Sequence, residues 1–547
     1  MSLADTADLW WKNAVFYCLD VETFCDSDGD GIGDFGGLTS KIDHLAGLGV
    51  TCIWLMPFFP TPNHDDGYDV ADHYAIDPRL GSFGDFTEFM HTARDRGMRV
   101  IADLVVNHTS DQHYWFQGAR LARDSEYRAY YVWRDEVPDG EPPEEVFPGE
   151  QHGVWSYDRE AGQYFLHRFY AHQPDLNIAN EAVREEVRKV MGFWIAQGLS
   201  GFRVDAVPFF LDLHGVTEEM ELEPHAYLRS LRSFMSRRYG SGVLLGEVNI
   251  PLEETLQYFG DEDGDELHML FNFVVMQATW LSFARGDAGP LRRALRQLPA
   301  IPREAAWAMF LRNHDELTLD KLPPRERREV FEAFGPEPDM QVYDRGLRRR
   351  LPPMFDGDQR RIRLAYSLLF SLPGAPTLFY GEEIGMGDNL ELKGRLSVRT
   401  PMQWTGGPSA GFSSAPPDGL IRPLPTDKRF EPRAVNVRDQ QLDPDSLLNW
   451  FGRLIRVRRG SPEIGWGTTK VVRTAPQVLA LCHEWQGHVT YTVHNVSDEP
   501  IEVEFKVGRD VDALRDAFGT GSIDVADGAA KCKLGPYGYR WLRPAVT

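Results

Sequence analysis

Short runs of apolar and β-branched residues alternate with longer segments of helical period over most of the chain. Eight such runs can be counted, at residues 14–24, 50–57, 99–108, 201–207, 243–248, 268–273, 307–315 and 375–384. Between them, residues 181–197 place apolar side chains three and four positions apart, and residues 82–97 and 224–239 carry helix start and stop residues. Strands that alternate with helices indicate a parallel sheet covered on both faces, and eight units predict an α/β fold of the (β/α)8 barrel type.

Two segments interrupt this alternation, and a third lies beyond it. Residues 109–177 are polar and rich in Trp, Tyr and Pro, which predicts a small inserted lobe over the barrel mouth. Residues 317–374 contain two charged stretches, 323–334 and 344–350, expected to be helical and to form a lid-like insertion. From residue 461 to 547 short alternating runs predict an antiparallel β-sandwich domain. The barrel is therefore expected in residues 1–108 and 178–460.

Composition and net charge argue against certain binding partners and favour one cellular compartment. The 547 residues carry a formal net charge of -24, which argues against nucleic acid and anionic membranes as partners. No secretory leader and no run of about 18 apolar residues is visible, so we expect no membrane span. Five cysteines without CxxC spacing favour reduced thiols in a cytoplasmic protein. Whether the protein is a monomer or a homo-oligomer stays open.

Charged residues stand at the ends of several predicted strands, where barrels of this type build their sites. A single carboxylate at a strand end is as often part of a structural ion pair as of an active site. Three carboxylates on different strands, two of them with an Arg or His close by, favour a catalytic site. The residues concerned are Asn107 and His108 on the third strand, Arg203 and Asp205 on the fourth, Glu247 on the fifth, and His314 and Asp315 on the seventh.

These four blocks resemble, in order and character, the strand-end motifs of the alpha-amylase family of glycoside hydrolases and transglycosylases, and the resemblance extends over nearly the whole chain. It implies that Asp205 is the nucleophile and Glu247 the general acid and then base. Asp315 would hold sugar hydroxyls and favour the distorted ring, and Arg203 would keep Asp205 ionised. Two displacements at the anomeric carbon retain its configuration, so the product should be an α-glucoside.

The same resemblance implies further substrate-binding residues. His108 and His314 would donate hydrogen bonds to the bound sugar. In Asp65-Asp66-Gly67-Tyr68-Asp69, Tyr68 would stack on this sugar and Asp65 would bind its far hydroxyls. Arg399, in Val398-Arg-Thr-Pro-Met-Gln-Trp404, is also expected to bind substrate. The arrangement predicts a pocket for one terminal glucose, and so a small α-glucoside as substrate.

An acidic loop predicts a structural cation and no organic cofactor. In Asp26-Ser-Asp28-Gly-Asp30-Gly-Ile32-Gly-Asp34, acids at alternate positions can wrap oxygens around one hard cation such as Ca²⁺ or Mg²⁺. The twelfth position is Gly37 rather than the bidentate Glu of an EF-hand, which argues for a different kind of loop. Family resemblance alone implies a second cation site, formed by Asn107, Asp175 and Asp212.

Several longer stretches are similar to the trehalose synthases of this family, which interconvert maltose and trehalose by intramolecular glucosyl transfer. Among them are Phe310-Leu-Arg-Asn-His-Asp-Glu-Leu-Thr-Leu319 and Gln173-Pro-Asp-Leu-Asn177. An isomerase must keep the released glucose in a closed pocket, since water would otherwise hydrolyse the intermediate. The first strand and the residues around Glu247 depart from the synthase pattern. An α-glucosidase that hydrolyses maltose, sucrose or related oligosaccharides, or transfers glucose to external acceptors, is therefore the alternative.

A carbohydrate-binding barrel without catalytic activity is the hypothesis of another class. It predicts the loss of a catalytic carboxylate, whereas all three are present in this sequence.

Overall fold

A closed barrel of eight parallel strands forms the centre of the computed structural model, which confirms the predicted fold class. The structure describes residues 9–138, 145–211, 223–262, 264–508, 511–519 and 521–545. Each barrel strand pairs with its neighbours in sequence, and β1 closes the ring by pairing with β8. The strands are β1 (Phe16–Leu19), β2 (Cys52–Leu55), β3 (Arg99–Leu104), β4 (Gly201–Val204), β5 (Val243–Gly246), β6 (Met269–Phe271), β7 (Ala306–Met309) and β8 (Ala375–Phe379).

The observed strands are shorter than the apolar runs that predicted them, because the polar residues at the end of each run leave the strand and begin the loop that follows it. Asp205 follows the last residue of β4, and Glu247 follows the last residue of β5. The strands themselves are almost entirely buried. All side chains that follow them consequently meet at one rim, the C-terminal edge of the barrel.

Helices surround the barrel, and their ends follow local capping rules. Ser82 begins the helix Phe83–Asp95 with a capping box that includes Asp85. The helix Glu181–Ala196 buries its apolar stripe, including Val187 and Trp194, against the barrel. The α-helices of four or more residues are Phe35–Ser40, Ile42–Leu48, Phe83–Asp95, Tyr114–Leu121, Glu181–Ala196, Val207–Leu211, Pro224–Arg238, Leu252–Thr255, Phe273–Arg285, Gly289–Gln297, Pro324–Phe334, Leu351–Met354, Gln359–Ser371, Val437–Leu442, Leu447–Arg459 and Glu463–Trp466.

The segment 109–177 contains a helix, Tyr114–Leu121, and a small antiparallel sheet of its own. The sheet has the strand order Trp133–Arg134, Gln163–Leu166 and Trp155–Asp158. Aromatic side chains such as Trp115 and Phe165 form a separate core beneath it. An isolated bridge between His108 and Asp175 ties this lobe to the end of β3, and a second bridge, between Tyr131 and Leu176, lies within the lobe.

The segment 317–374 has two different parts. Its first part contains the helix Pro324–Phe334 and a three-stranded sheet made of Leu317–Thr318, Gly346–Leu347 and Gln341–Val342. The expectation that residues 344–350 are helical is wrong. Tyr343 and Asp344 have φ of 54° and 53°, which turns the chain into a hairpin and cannot be continued as a right-handed helix. The second part, ending with the buried helix Gln359–Ser371, packs in the barrel layer.

Eight antiparallel strands follow the barrel, as predicted for the C-terminal part of the chain. Side chains from the third and from the last strand of the strand order, such as Val493 and Phe505, share one core, so the sheet folds over itself. This sheet is joined to the barrel layer through Ser367, whose hydroxyl lies 3.0 Å from His494 Nε2 and accepts from Trp541 Nε1 at 3.0 Å. The strands are β9 (Thr468–Val472), β10 (Val478–Trp485), β11 (His488–Asn495), β12 (Ile501–Lys506), β13 (Ala513–Asp516), β14 (Ser522–Ala526), β15 (Ala529–Leu534) and β16 (Tyr539–Pro544).

Within the described residues, no helix combines the length and the apolar character needed to cross a membrane.

Candidate active site

A cavity of about 430 Å³ opens at the C-terminal edge of the barrel. Three of the predicted side chains, Asp205, Glu247 and Asp315, lie together in its wall. Asp65, Tyr68 and His108 also line it. Arg203, His314 and Arg399 are almost fully buried behind these residues, where they contact the carboxylates rather than the open space.

Arg203 holds two of the carboxylates in place from below. Its Nη1 donates to Asp205 Oδ1 at 2.5 Å and to Asp103, and its Nη2 donates to Glu247 Oε2 at 2.8 Å. Arg203 and Asp205 point to the same side because they are two residues apart in extended chain at the end of β4. One buried guanidinium therefore fixes the distance between the expected nucleophile and the expected acid.

Burial raises the pKa of both carboxylates towards neutrality. The pKa of Asp205 is raised to about 7 by burial and by Asp103 and Asp315, although Arg203 lowers it. The pKa of Glu247 is also raised to about 7, again by burial first and against the effect of Arg203. Arg203 acts in the direction expected from the sequence, but burial outweighs it. Because each carboxylate disfavours the charge on the other, the pair carries one proton near neutral pH.

Asp315 is held in the opposite state. Burial raises its pKa, but His314, Arg395 and Arg399 outweigh burial and lower the pKa below the usual range. Its Oδ1 accepts from Arg395 Nη1 at 2.6 Å and from Arg399 Nη2 at 3.0 Å, and its Oδ2 lies 3.1 Å from His314 Nε2. Asp315 thus stays ionised and can accept hydrogen bonds from sugar hydroxyls.

The two histidines of the site are both buried and neutral. Burial lowers the pKa of His108 to about 3 and that of His314 well below its usual value. His314 Nε2 lies 2.7 Å from the Tyr68 hydroxyl, and the two rings stack with centroids 5.5 Å apart. His314 therefore positions Tyr68 and Asp315, whereas His108 lies at the cavity surface.

One functional residue that the sequence did not reveal is Arg395. Its Nη2 donates to Asp65 Oδ1 at 2.7 Å and its Nη1 to Asp315, so it bridges two carboxylates that both line the cavity. Gln173 Nε2 donates to the other oxygen of Asp65 at 2.9 Å. The only sequence pattern that marks Arg395 is its position four residues before Arg399, in the short 3₁₀ helix Gly394–Val398.

A second group of polar residues also lines the cavity, and part of it comes from the segment 317–350. Asn249 Nδ2 lies 3.1 Å from Asp320 Oδ2, which also accepts from Lys321 Nζ at 2.8 Å. Arg345 Nη2 lies 3.2 Å from Glu316 Oε1. These residues all line the cavity, and they offer donors and acceptors for a second sugar.

The acidic loop brings three of its carboxylates together. Oxygens of Asp26, Asp28 and Asp34 lie within 4.8 Å of one another, whereas the Asp30 carboxylate is not part of this group and accepts from the Ile32 backbone N–H. An all-oxygen donor set of this kind fits a hard cation. At the other expected cation site, Asn107 Nδ2 lies 3.2 Å from Asp175 Oδ1, while Asp212 is outside the described residues.

A (β/α)8 barrel with three acidic side chains at its C-terminal edge, two of them bonded to one buried arginine, defines an enzyme of the glycoside hydrolase and transglycosylase class. The sequence model of the alpha-amylase catalytic domain matches residues 21–321 and 348–467, and that of the sucrose hydrolase-like C-terminal domain matches residues 487–543. The chain therefore belongs to the alpha-amylase family. Residues 322–347, which the first match leaves out, hold the helix Pro324–Phe334 and most of the hairpin.

Known relatives share most of the chain. The trehalose synthase/amylase of Mycolicibacterium smegmatis is 43% identical over 87% of this chain and 80% of its own length. The trehalose synthase of a Pimelobacter species is 41% identical over 92% and 91%, and the glucan 1,6-alpha-glucosidase of Streptococcus pneumoniae is 32% identical over 91% and 94%. The crystal structure of trehalulose synthase from Pseudomonas mesoacidophila superposes with a TM-score of 0.79 at 27% identity, covering 98% of this chain and 99% of that one.

Proposed function

We propose that this enzyme transfers an α-glucosyl unit with retention of configuration and interconverts maltose and trehalose within one closed pocket. The observation that carries this proposal is the set of polar side chains that line the cavity. We infer that the Asp65–Arg395–Asp315 bridge forms the closed end, where a single terminal glucose binds, and that Asn249 and Asp320 hold the second sugar. The trehalose synthases that are 41–43% identical over most of the chain support the same function.

The proposed reaction has two displacements at one anomeric carbon. Asp205 attacks this carbon while Glu247 donates its proton to the departing oxygen, which breaks the glucosidic bond and forms a glucosyl ester on Asp205. The freed glucose then turns, and its anomeric hydroxyl attacks the ester. Glu247, now a carboxylate, takes the proton of that hydroxyl, and Asp205 leaves as a carboxylate. Asp315 accepts hydrogen bonds from the sugar throughout.

The shared proton of the Asp205–Glu247 pair suits this sequence of steps. The first step needs one ionised carboxylate and one protonated carboxyl, and this is the state that burial favours near neutral pH. Arg203 contacts both groups, so its charge stabilises the pair whichever member carries the proton. The second step returns the pair to its starting state, so no net proton is consumed.

The product distribution from maltose tests the proposal. We expect trehalose to accumulate in excess over free glucose, and trehalose formed in the presence of added ¹³C-glucose to contain little label, because the glucose released from maltose is retained. Asp205→Asn protein, purified in parallel, controls for contaminating activity. The appearance of glucose without trehalose would rule out isomerisation, and full labelling of trehalose would rule out the intramolecular route.

The second candidate function is hydrolysis of short α-glucosides. It is supported by the glucan 1,6-alpha-glucosidase relative and by Val248-Asn249-Ile250 after Glu247, a departure from the trehalose synthase pattern. In this case water rather than a sugar hydroxyl attacks the glucosyl ester. A kcat/KM for glucose release from isomaltose or sucrose that exceeds the kcat/KM for trehalose formation from maltose would favour hydrolysis.

We further propose that the acidic loop binds one structural Ca²⁺ or Mg²⁺ through Asp26, Asp28 and Asp34. The Asp30 carboxylate and the Ile32 carbonyl complete the ligand set that the sequence suggests. Asp26 already accepts from the backbone N–H groups of Asp28, Gly29 and Gly31, which keeps the loop wrapped around the carboxylates. EDTA should lower the Tm and added Ca²⁺ should restore it; an unchanged Tm in both conditions would contradict the proposal.

We infer a cytoplasmic location from the five free thiols, four of which are buried, because unpaired cysteines are typical of reducing compartments. Fractionation of cells that produce the protein tests this inference, and recovery in a secreted fraction would contradict it.

A further inference from the structure

Two histidines and one aspartate meet beside the closed end of the sugar cavity. One ring nitrogen of His64, one of His172 and a carboxylate oxygen of Asp69 lie within 4.8 Å of one another. The imidazole rings are perpendicular, with centroids 5.1 Å apart. Asp69 is fully buried, His172 is half-buried and His64 is exposed, so the group is reached from solvent on the His64 side. We name these three residues the histidine cluster.

Asp69 and His172 have free coordinating capacity. Asp69 Oδ1 accepts from the Thr61 hydroxyl at 2.8 Å and from Asp65 N at 3.1 Å, and its Oδ2 accepts from His64 N at 2.9 Å. A carboxylate offers about four lone-pair positions, so one remains open. His172 Nε2 is shielded from solvent and, among the described residues, finds no hydrogen-bond partner. Burial lowers the pKa of His172, so its ring is neutral and a nitrogen lone pair is available at pH 7.

We propose that His64, Asp69 and His172 form a binding site for one transition-metal dication of the Zn²⁺ type, with water as the fourth ligand. Two imidazole nitrogens and one carboxylate suit Zn²⁺, whereas Ca²⁺ and Mg²⁺ prefer oxygen alone. Bonds of about 2.0–2.1 Å would place the ligand atoms roughly 3.3 Å apart. Rotation of the exposed His64 side chain would close the remaining distance, while hydrogen bonds already orient Asp69.

The position of this site links it to the sugar pocket. His64 is followed by Asp65 and His172 by Gln173, and these two neighbours are joined by the 2.9 Å hydrogen bond from Gln173 to Asp65. A bound ion would cross-link the same two loops a second time. Metal binding is therefore expected to stabilise the closed end of the pocket and to raise the Tm. The inference does not depend on which reaction the enzyme catalyses.

Zinc titration of the full-length protein tests the proposal. The protein is treated with EDTA and then kept in excess CaCl₂, so that the acidic loop does not compete for Zn²⁺. We expect calorimetric titration to give one Zn²⁺ per chain, an increase in Tm, and an intense visible absorption when Co²⁺ replaces Zn²⁺. His64→Ala and His172→Ala should each weaken Zn²⁺ binding at least tenfold, because each removes one ligand.

His91→Ala is the matched control. His91 is exposed on the helix Phe83–Asp95, outside the histidine cluster, and its replacement should leave Zn²⁺ binding unchanged. Circular dichroism of each variant checks that it folds. Equal Zn²⁺ affinity in the wild type, His64→Ala and His172→Ala proteins would overturn the proposal, as would the absence of stoichiometric binding to the wild type.

Discussion

Arg395 is the residue whose removal tests the closed end of the pocket most directly. Its two hydrogen bonds, at 2.6 Å to Asp315 and 2.7 Å to Asp65, lie in a largely buried site. In an Arg395→Ala variant Asp315 keeps Arg399 and His314, but Asp65 keeps only the neutral Gln173 as a hydrogen-bond donor among its described side-chain contacts. The loss of a charged hydrogen-bond partner therefore affects mainly Asp65, whose pKa is already raised by burial.

Removal of one partner from a buried ion pair costs about 3–5 kcal/mol. This cost refers to the stability of the folded protein. We expect the loss of transition-state stabilisation to be of similar size, because Asp65 must be held in place to bind the sugar, and to lie at the lower end of the range because Asp315 is still paired. At about 1.4 kcal/mol for each factor of ten, kcat/KM for maltose should fall on the order of 100-fold or more. Initial rates at several maltose concentrations, measured well below the Tm of the variant, give kcat and KM separately.

Arg96→Ala is the control, because Arg96 forms an exposed ion pair with Asp43 far along the chain from the site. Such surface pairs contribute about 0–1 kcal/mol, so activity should be unchanged. The double variant Asp65→Asn/Arg395→Ala should lose no more than the more damaging single change, since the two residues act as a pair. A kcat/KM for Arg395→Ala within about fivefold of the wild type would refute the reasoning, because the stated cost corresponds to at least 100-fold.

Three further predictions follow from the carboxylates. Asp205→Asn should lower kcat on the order of 10⁴-fold while maltose still binds, and unchanged activity would refute the assignment of the nucleophile. The pH profile of kcat/KM should be bell-shaped with both limbs near pH 7, since the pKa of Asp205 and of Glu247 is about 7; with α-glucosyl fluoride, which needs no acid, Glu247→Gln should lose the alkaline limb. Burial raises the pKa of Glu382 from 4.5 to about 7, so its contribution to stability is complete below pH 4.5 and lost as the pH rises to about 7. This amounts to about 3 kcal/mol, and chemical denaturation should show a flatter pH dependence for Glu382→Gln; an identical pH dependence would contradict the prediction.

The features that could be predicted from the sequence are those that lie within one strand and the residues directly after it. Each barrel strand is a buried run followed by polar residues, so Asp205 and Glu247 could be placed at the rim without knowledge of their neighbours. Arg395 could not be found in this way, because its partner Asp65 is 330 positions away. The same holds for Asn249, which follows β5, and Asp320, which lies in the segment after β7.

Two other differences between the sequence-based expectations and the structure have physical causes. Residues 344–350 are charged enough to suggest an exposed helix, but the left-handed backbone at Tyr343 and Asp344 directs the chain into a hairpin. For Asp205, the sequence shows the nearby Arg203 but not the depth of burial, and burial decides the direction of the pKa shift. Pairing along a strand is visible in a sequence, whereas desolvation depends on the whole fold.

The contact between the C-terminal sheet and Ser367 makes this sheet part of the barrel's own structural support. The helix that carries Ser367, Gln359–Ser371, leads directly into β8, and Trp541 belongs to the same continuous core as the barrel strands. A chain that stopped after residue 460 would expose this core and leave the Ser367 hydroxyl without its two partners. The sheet is therefore not a detachable module, and substitutions on the barrel-facing side of β11 and β16 must be matched by changes in the helix they cover.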